Sequence, residues 1–482
     1  MADNIWDNSD ADNDANNANN WSLGNVPTGT DVAVFDSATT SANCTLSGNI
    51  TCQGVRFDNT YSGTVNANGN IWALGSSGLD CTGGGSATFV SGSANHTCSG
   101  VFDIRDMGTW TQGTGKWTLT GTGQSMFGST TLIPNHVEVT GSYTVSTSTN
   151  AFRLKTLTVS GTLTVSFEMR LDDANCAIDL QTGGVISGSS LMWFRGSGSA
   201  TVTLNGTTFA PGSLLFGGSC SPTVTGSLAT IGCDVTWTPT AGSGHTFTWA
   251  TNKTITGGLN YNTATRAVTV DMSTNNPNLI IQGNFETNAS GLTYNKGTGT
   301  ITLSGSSNQT LAISGLGQVE DLVIDKSAGR VTVTTNFASD TFTGTDGDFD
   351  IDGFTADIGG AVDINGNTGF RFDNGTNSSM ANGGGTHGVF LVGQDGSGNL
   401  TLDGNGGQLL ITDLNFDYDN TSTGTALSCD VNDSLGPAGL SGTGTDIDAT
   451  DASNNEIGGT NTGWDFGGAV DTSKNLLLLG VG

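Results

Sequence analysis

The chain is poor in basic side chains: 14 Lys and Arg stand against 43 Asp and Glu in 482 residues, for a formal net charge of −29. A field of that sign repels phosphate backbones and anionic lipid, which argues against nucleic acid and membrane surfaces as partners. Charge of either sign is scarce too, at 12% of residues. That separates the chain from highly charged unfolded polymers, despite 74 glycines and many Ser, Thr and Asn. No run of about 18 apolar residues occurs, so no membrane insertion is expected, and Leu476 to Leu479 is too short to change that. No apolar stripe at i, i+3, i+4, i+7 is sustained. Gly or Asn interrupts almost every window long enough to hold one, which argues against long helices.

Motifs of catalysis and metal binding are missing as well. The eight cysteines, Cys44, Cys52, Cys81, Cys98, Cys176, Cys220, Cys233 and Cys429, form no CxxC pair, so neither a zinc signature nor a compact disulfide framework is present. Small buried thiols are expected; Cys44 with Cys52, and Cys220 with Cys233, are the pairs whose spacing lets them meet on neighbouring strands. His96, His136, His245 and His387 make no HxxxH or HExxH pair, no GxSxG elbow or GxxxxGK[ST] loop occurs, and each histidine reads as a surface or turn residue. Glycosidases need two placed carboxylates, but with 43 acids any pair could be nominated. Lyase action on an acidic polymer would want clustered cations, whereas Arg56, Arg105, Arg153, Arg170, Arg195, Arg266, Arg330 and Arg371 are scattered along the sequence. The reading is therefore that the protein is not an enzyme. Trp193, Trp237 and Trp249 are expected to fill the core, stacking on sugars being their alternative use.

What the chain does contain is alternation. A glycine-led phrase recurs four times: Gly113-Thr-Gly-Lys-Trp117-Thr-Leu119-Thr-Gly121, Gly198-Ser-Ala-Thr-Val202-Thr-Leu204-Asn-Gly206, Gly297-Thr-Gly-Thr-Ile301-Thr-Leu303-Ser-Gly305 and Gly396-Ser-Gly-Asn-Leu400-Thr-Leu402-Asp-Gly404. A period of two puts the apolar pair on one face of a strand and Thr or Asn on the other. The phrase returns every 80 to 100 residues or so, longer than the ~20 to 45 residue unit of ordinary solenoids. Strand-length apolar runs come about every ten residues between Gly, Asn and Asp turns. Leu157, Val159, Leu163 and Val165 pair across one Ser-Gly-Thr turn, as at a corner between sheet faces. The fold class expected is all-β, a parallel β-helix (β-solenoid) with several coils per phrase, an N-terminal arm and a C-terminal β cap; a string of β-sandwich domains is the alternative.

Composition divides the chain into residues 1–31, an arm or cap whose Asp/Asn run lies between Trp6 and Trp21; residues 32–345, the β-helix repeats; and residues 346–482, an acidic Gly/Asn-rich β region and cap. Asp348-Phe-Asp350-Ile-Asp352-Gly353 carries the first three ligand positions and the glycine of a calcium loop, but the twelfth position is Gly359, so an EF-hand fails. A looser Ca²⁺ site on Asp348, Asp350 and Asp352 is the metal expectation, beside a solvated outer face; a similar site on Asp10, Asp12 and Asp14 ranks below it. No other cofactor is expected.

Asn20-Trp21-Ser-Leu-Gly24-Asn-Val-Pro27, with Asp31-Val-Ala-Val34-Phe35 after it, resembles the start of β-helical regions in bacterial surface proteins and in bacteriophage structural proteins. The glycine-led phrase with Leu322-Val-Ile324-Asp-Lys, and the terminal Asn461-Thr-Gly-Trp464-Asp-Phe466, are similar to motifs of the same proteins. The resemblance implies a β-helix in a virion or at a cell surface and transfers no catalytic residue. Met1-Ala-Asp-Asn-Ile-Trp-Asp-Asn lacks the basic start and apolar core of a secretory signal, which favours the phage. The expected function is a non-enzymatic virion structural protein, a capsid decoration or fibre that stabilises the particle or attaches it to the host surface. A homo-oligomer, taken as a trimer, is expected, with capsid or tail proteins as partners and host glycan as a further one. A polysaccharide-binding or depolymerising tail spike and a bacterial cell-surface adhesin are the alternatives.

Overall fold

Alternating apolar and hydroxyl residues between glycine and asparagine turns give short strands that pair in parallel, each with its counterpart one coil further along the chain. The computed structural model describes residues 1–350 apart from 130–133, 147–149, 241–242, 265, 290 and 314, and beyond them Phe354 and the backbone of strands from Thr355–Ile358 to Ser453–Glu456. By internal packing the chain forms two units, Met1–Lys253 with Arg266–Val270, and Thr254–Thr265 with Asp271–Gly482. Both are parallel β-solenoids, and the sandwich alternative falls away.

In the first unit the register fixes the coil length. Leu119, Val139, Val159, Leu180 and Leu204 are successive ladder partners, 20, 20, 21 and 24 residues apart. A typical coil has three strands, such as Thr156–Val159, Thr162–Val165 and Met169–Leu171. Alternate side chains point inward and stack in columns. One column runs His96, Trp117, Val137, Leu157, Ile178, Val202, Val224 and Trp249, all buried. In the second unit Leu279, Ile301, Leu322 and Phe342 stack in the same way. The backbone ladder continues from Phe342 through Val362 and Phe390 to Phe416 and Ile447. The strand Phe342–Asp350 runs through the composition shift near residue 346.

The corner between Thr156–Val159 and Thr162–Val165 explains one glycine in each of three successive coils. Gly121, Gly141 and Gly161 stack so closely that a Cβ on Gly141 would stand 1.9 Å from the Gly121 carbonyl oxygen, and one on Gly161 2.0 Å from that of Gly141. Only a residue without a side chain lets the coils approach to hydrogen-bonding distance there. Turn asparagines serve the opposite need. Oδ1 of Asn49, Asn95, Asn205, Asn276, Asn278 and Asn308 accepts from a backbone N–H 21 or 22 residues later, capping the next coil.

The first residues close the end of the stack. Ala2–Ile5 pairs in parallel with Asp31–Asp36, and the ring centres of Trp6 and Trp21 lie 5.2 Å apart, with Trp21 5.9 Å from Phe35. Such aromatic contacts are worth about 0.5–1.5 kcal/mol each beyond their burial. The outer edge of the first strand is sealed: Ile5 N–H donates to Ser22 Oγ, Ser22 N–H donates to the Ile5 carbonyl, and buried Asn4 binds Leu23 and Asn25. An exposed edge strand is a template for unwanted pairing, and this one is blocked. The closing motif at Asn461 to Phe466 lies outside the described residues.

Candidate functional site

The most distinctive outward feature lies on the third strand of four successive coils in the first unit: Phe152–Leu154, Met169–Leu171, Leu191–Phe194 and Ser213–Phe216. Phe152, Leu154, Met169, Leu171, Met192, Phe194, Leu214 and Phe216 are buried, so strand alternation sends the residues between them outward. In register, those are Arg153, Arg170, Trp193 and Leu215. Arg195 follows just beyond the third strand.

The arrangement is layered. The guanidinium of Arg170 lies 5.3 Å from the centre of the Trp193 ring and that of Arg195 4.7 Å, both within cation–π range. Arg170 donates to both oxygens of Glu168, at 2.7 and 3.1 Å, and these bonds raise its pKa above the ordinary value. Arg153 Nε donates to Oδ2 of Asp172, whose side chain is only 3% exposed. Among the described residues the second oxygen of Asp172 receives no hydrogen bond; it faces Arg195 Nε at 4.0 Å. Lys155 lies 3.4 Å from Asp173. Beneath the indole sits Gly217, where a Cβ would come within 2.6 Å of Trp193 Nε1. The face can recognise a partner by planar cations, an indole and aliphatic surface.

The reading of the arginines as scattered is overturned for Arg153, Arg170 and Arg195, which the coils bring onto one face. Sequence spacing held the signal, since intervals of 17 and 25 residues each amount to about one coil. Trp237 and Trp249 are core residues, as expected, whereas Trp193 is half-buried and faces outward. His96 was expected at the surface or in a turn but is fully buried, its ring 4.7 Å from that of Trp117. Its Nδ1 accepts from Trp72 N–H at 3.1 Å and its Nε2 donates to the Ser91 carbonyl at 2.8 Å, which fixes the neutral tautomer; burial lowers its pKa. Cys44, Cys52, Cys81, Cys98, Cys176, Cys220 and Cys233 are buried free thiols, so neither spacing-compatible disulfide forms.

Asp348 and Asp350 stand on the backbone of Phe342–Asp350, while their carboxylates and the whole of Asp352 lie outside the described residues. Among the described residues no group of three or more His, Cys, Asp or Glu is placed to hold a metal. In the Asp10, Asp12, Asp14 run, Asn17, Asn19 and Asn20 donate side-chain amide hydrogens to Asp10 and Asp12. Two surface depressions also occur. The one around Lys326, Arg330 and Asp346 has its lysine ammonium tied to the Ser307 carbonyl and Gln309 Oε1, both at 2.7 Å. The one around Thr82, Arg105 and Asp106 has its arginine tied to Asp103. No family model, curated protein or solved structure matches this chain, and likeness to a known protein therefore assigns it no function.

Proposed function

We propose that the chain is a non-enzymatic structural protein of a bacteriophage particle, an oligomeric β-solenoid that decorates the capsid or forms a fibre, stabilising the particle or attaching it to the host surface. The observation that carries this reading is the run of in-register parallel ladders, coil upon coil, around columns of buried Val, Leu, Ile and aromatic side chains. Within each unit successive coils are hydrogen-bonded along their strands, which stiffens the unit against bending and shear. Such a body suits presentation and attachment. The net charge of −29 keeps a displayed surface soluble and free of nucleic acid.

Immunogold labelling of purified particles tests the location: gold on the virion is expected, and gold confined to host envelopes overturns it in favour of an adhesin. Incubation with host capsule or lipopolysaccharide tests the absence of catalysis. New reducing ends or unsaturated uronates would make the protein a depolymerising spike.

A further inference from the structure

We infer that the outward face built from Arg170, Trp193, Arg195, Leu191 and Leu215 is the surface through which two copies of this chain associate. The inference deepens the proposed function by naming the partner, and it rests on that reading only in taking the chain as oligomeric.

Charge distribution supplies the first argument. Between Gly113 and Cys233 the sequence carries five acidic residues, Glu138, Glu168, Asp172, Asp173 and Asp179, and five basic ones, Lys116, Arg153, Lys155, Arg170 and Arg195. The whole net charge of −29 therefore lies outside this band. Two identical acidic chains repel one another over most of their surfaces, and the band is where they approach without net repulsion.

The composition of the face supplies the second. Trp and Arg dominate the energetic centres of protein interfaces. Here an indole layered with two guanidiniums is flanked by the outward, half-buried Leu191 and Leu215. The face also carries both signs at accessible positions. Arg195 is 40% exposed and Asp173 42%, which suits a two-fold contact in which the same patch meets itself. Among the described residues the Arg195 guanidinium makes no hydrogen bond, its nearest carboxylate oxygen being 4.0 Å away on Asp172. Its exposed N–H donors are free to meet a partner's acceptors.

Sedimentation velocity on the full chain tests this, with Trp193→Ala, Arg195→Glu and, as a control on the second unit, Ile280→Glu. Ile280 is an exposed apolar residue outside the band. The wild type is expected to associate, and more tightly as salt is raised, because salt screens the repulsion between acidic remainders. Trp193→Ala and Arg195→Glu should each weaken association about thirtyfold, the ratio that corresponds to a hot-spot loss of ~2 kcal/mol. The control should associate like wild type, and circular dichroism should show all three variants folded. Arg195→Glu keeps the test informative if Trp193→Ala fails to fold, since the Arg195 guanidinium makes no hydrogen bond among the described residues. A wild type that stays monomeric, variants that associate like wild type, or a control as impaired as the variants would each overturn the inference. Retardation of a monomeric wild type, but not of Trp193→Ala, in gels containing polygalacturonate would overturn it too and assign the face to an acidic saccharide. Failure of virion labelling leaves this measurement unaffected, so the two readings fail separately.

Discussion

Replacing Gly141 by Ala tests whether the solenoid is held at the coil spacing its corners allow. A Cβ on Gly141 would stand 1.9 Å from the Gly121 carbonyl oxygen and 2.6 Å from the Thr120 carbonyl carbon and oxygen, whereas real Cβ atoms keep at least 3.0 Å. All of these are backbone atoms, so no side chain can swing away, and the two coils must separate locally by about 1 Å. Three backbone hydrogen bonds bridge that corner: Thr140 N–H and Gly141 N–H to the Leu119 carbonyl, both 3.0 Å, and Ser142 N–H to the Gly121 carbonyl, 2.7 Å. At about 1 kcal/mol net each, their loss costs ~3 kcal/mol, rising toward ~5 if the freed groups stay dry. Because coils in a solenoid contact only their neighbours, the damage should stay local. The assay is amide hydrogen exchange with denaturant unfolding, comparing Gly141→Ala with Gly29→Ala, whose Cβ would meet nothing within 4 Å. Protection should fall across Lys116–Val165 in the first variant and remain unchanged in the second. Equal stability of the two variants would refute the claim that corner glycines are required by coil contact.

Three further outcomes follow from buried polar groups. Tyr143→Phe removes hydrogen bonds to the Cys98 and Gly100 carbonyls, 3.0 and 2.8 Å, without changing core volume, and should cost about 1–2 kcal/mol by denaturant unfolding. His96 has an ordinary pKa of 6.5 that burial lowers, so the unfolded chain binds a proton before the folded one does. Its contribution is present in full above pH 6.5 and is lost as pH falls through the lowered folded value; His96→Gln should flatten that acid-side loss, as read from unfolding midpoints below pH 6.5. Lys253 has its pKa lowered by burial from 10.5 to about 8, so stability should rise with pH between those values, and Lys253→Met should abolish the rise in the same measurement.

Much of the fold was legible because the alternation in segments such as Thr156–Val159 and Thr162–Val165 encodes both the strand and its buried face. The coil length was not, because the recurring phrase marks a strand, not a coil. Lys116–Leu119 and Ser197–Leu204 share one ladder four coils apart, and the coils between them fill the column with Val137, Leu157 and Ile178 without the glycine-led phrase. With coil length hidden, Arg153, Arg170 and Arg195 looked dispersed, although each pair is separated by about one coil. His96 was missed for a related reason. Its place between Trp72 and Trp117 in a buried column depends on registers of 24 and 21 residues that no local pattern announces.

The same geometry accounts for a chain rich in Asn and Gly whose seven described cysteines do not pair. Strand ladders satisfy backbone groups within the strands, but each corner leaves N–H and C=O groups that the next coil meets imperfectly. Asn side chains accept the orphan N–H groups, as at Ile71, Lys116 and Arg330. The orphan carbonyls, many of them on turn glycines, receive a mixed set of buried donors. Cys52 donates to Gly54, Cys220 to Gly217, Tyr143 to Gly100, Gln309 to Gly283 and Lys253 to Gly226. A thiol is a weak donor small enough to fit inside a column, and consuming it in a disulfide would free the carbonyl it covers. Buried Lys253 and Lys326 fit the same pattern, their ammonium groups held by carbonyl, hydroxyl and amide oxygens at the corners. Interior polarity in this solenoid is thus concentrated where the backbone turns. The strand faces stay free to stack apolar side chains inside, and in the first unit they carry the Arg170, Trp193 and Arg195 layer outside.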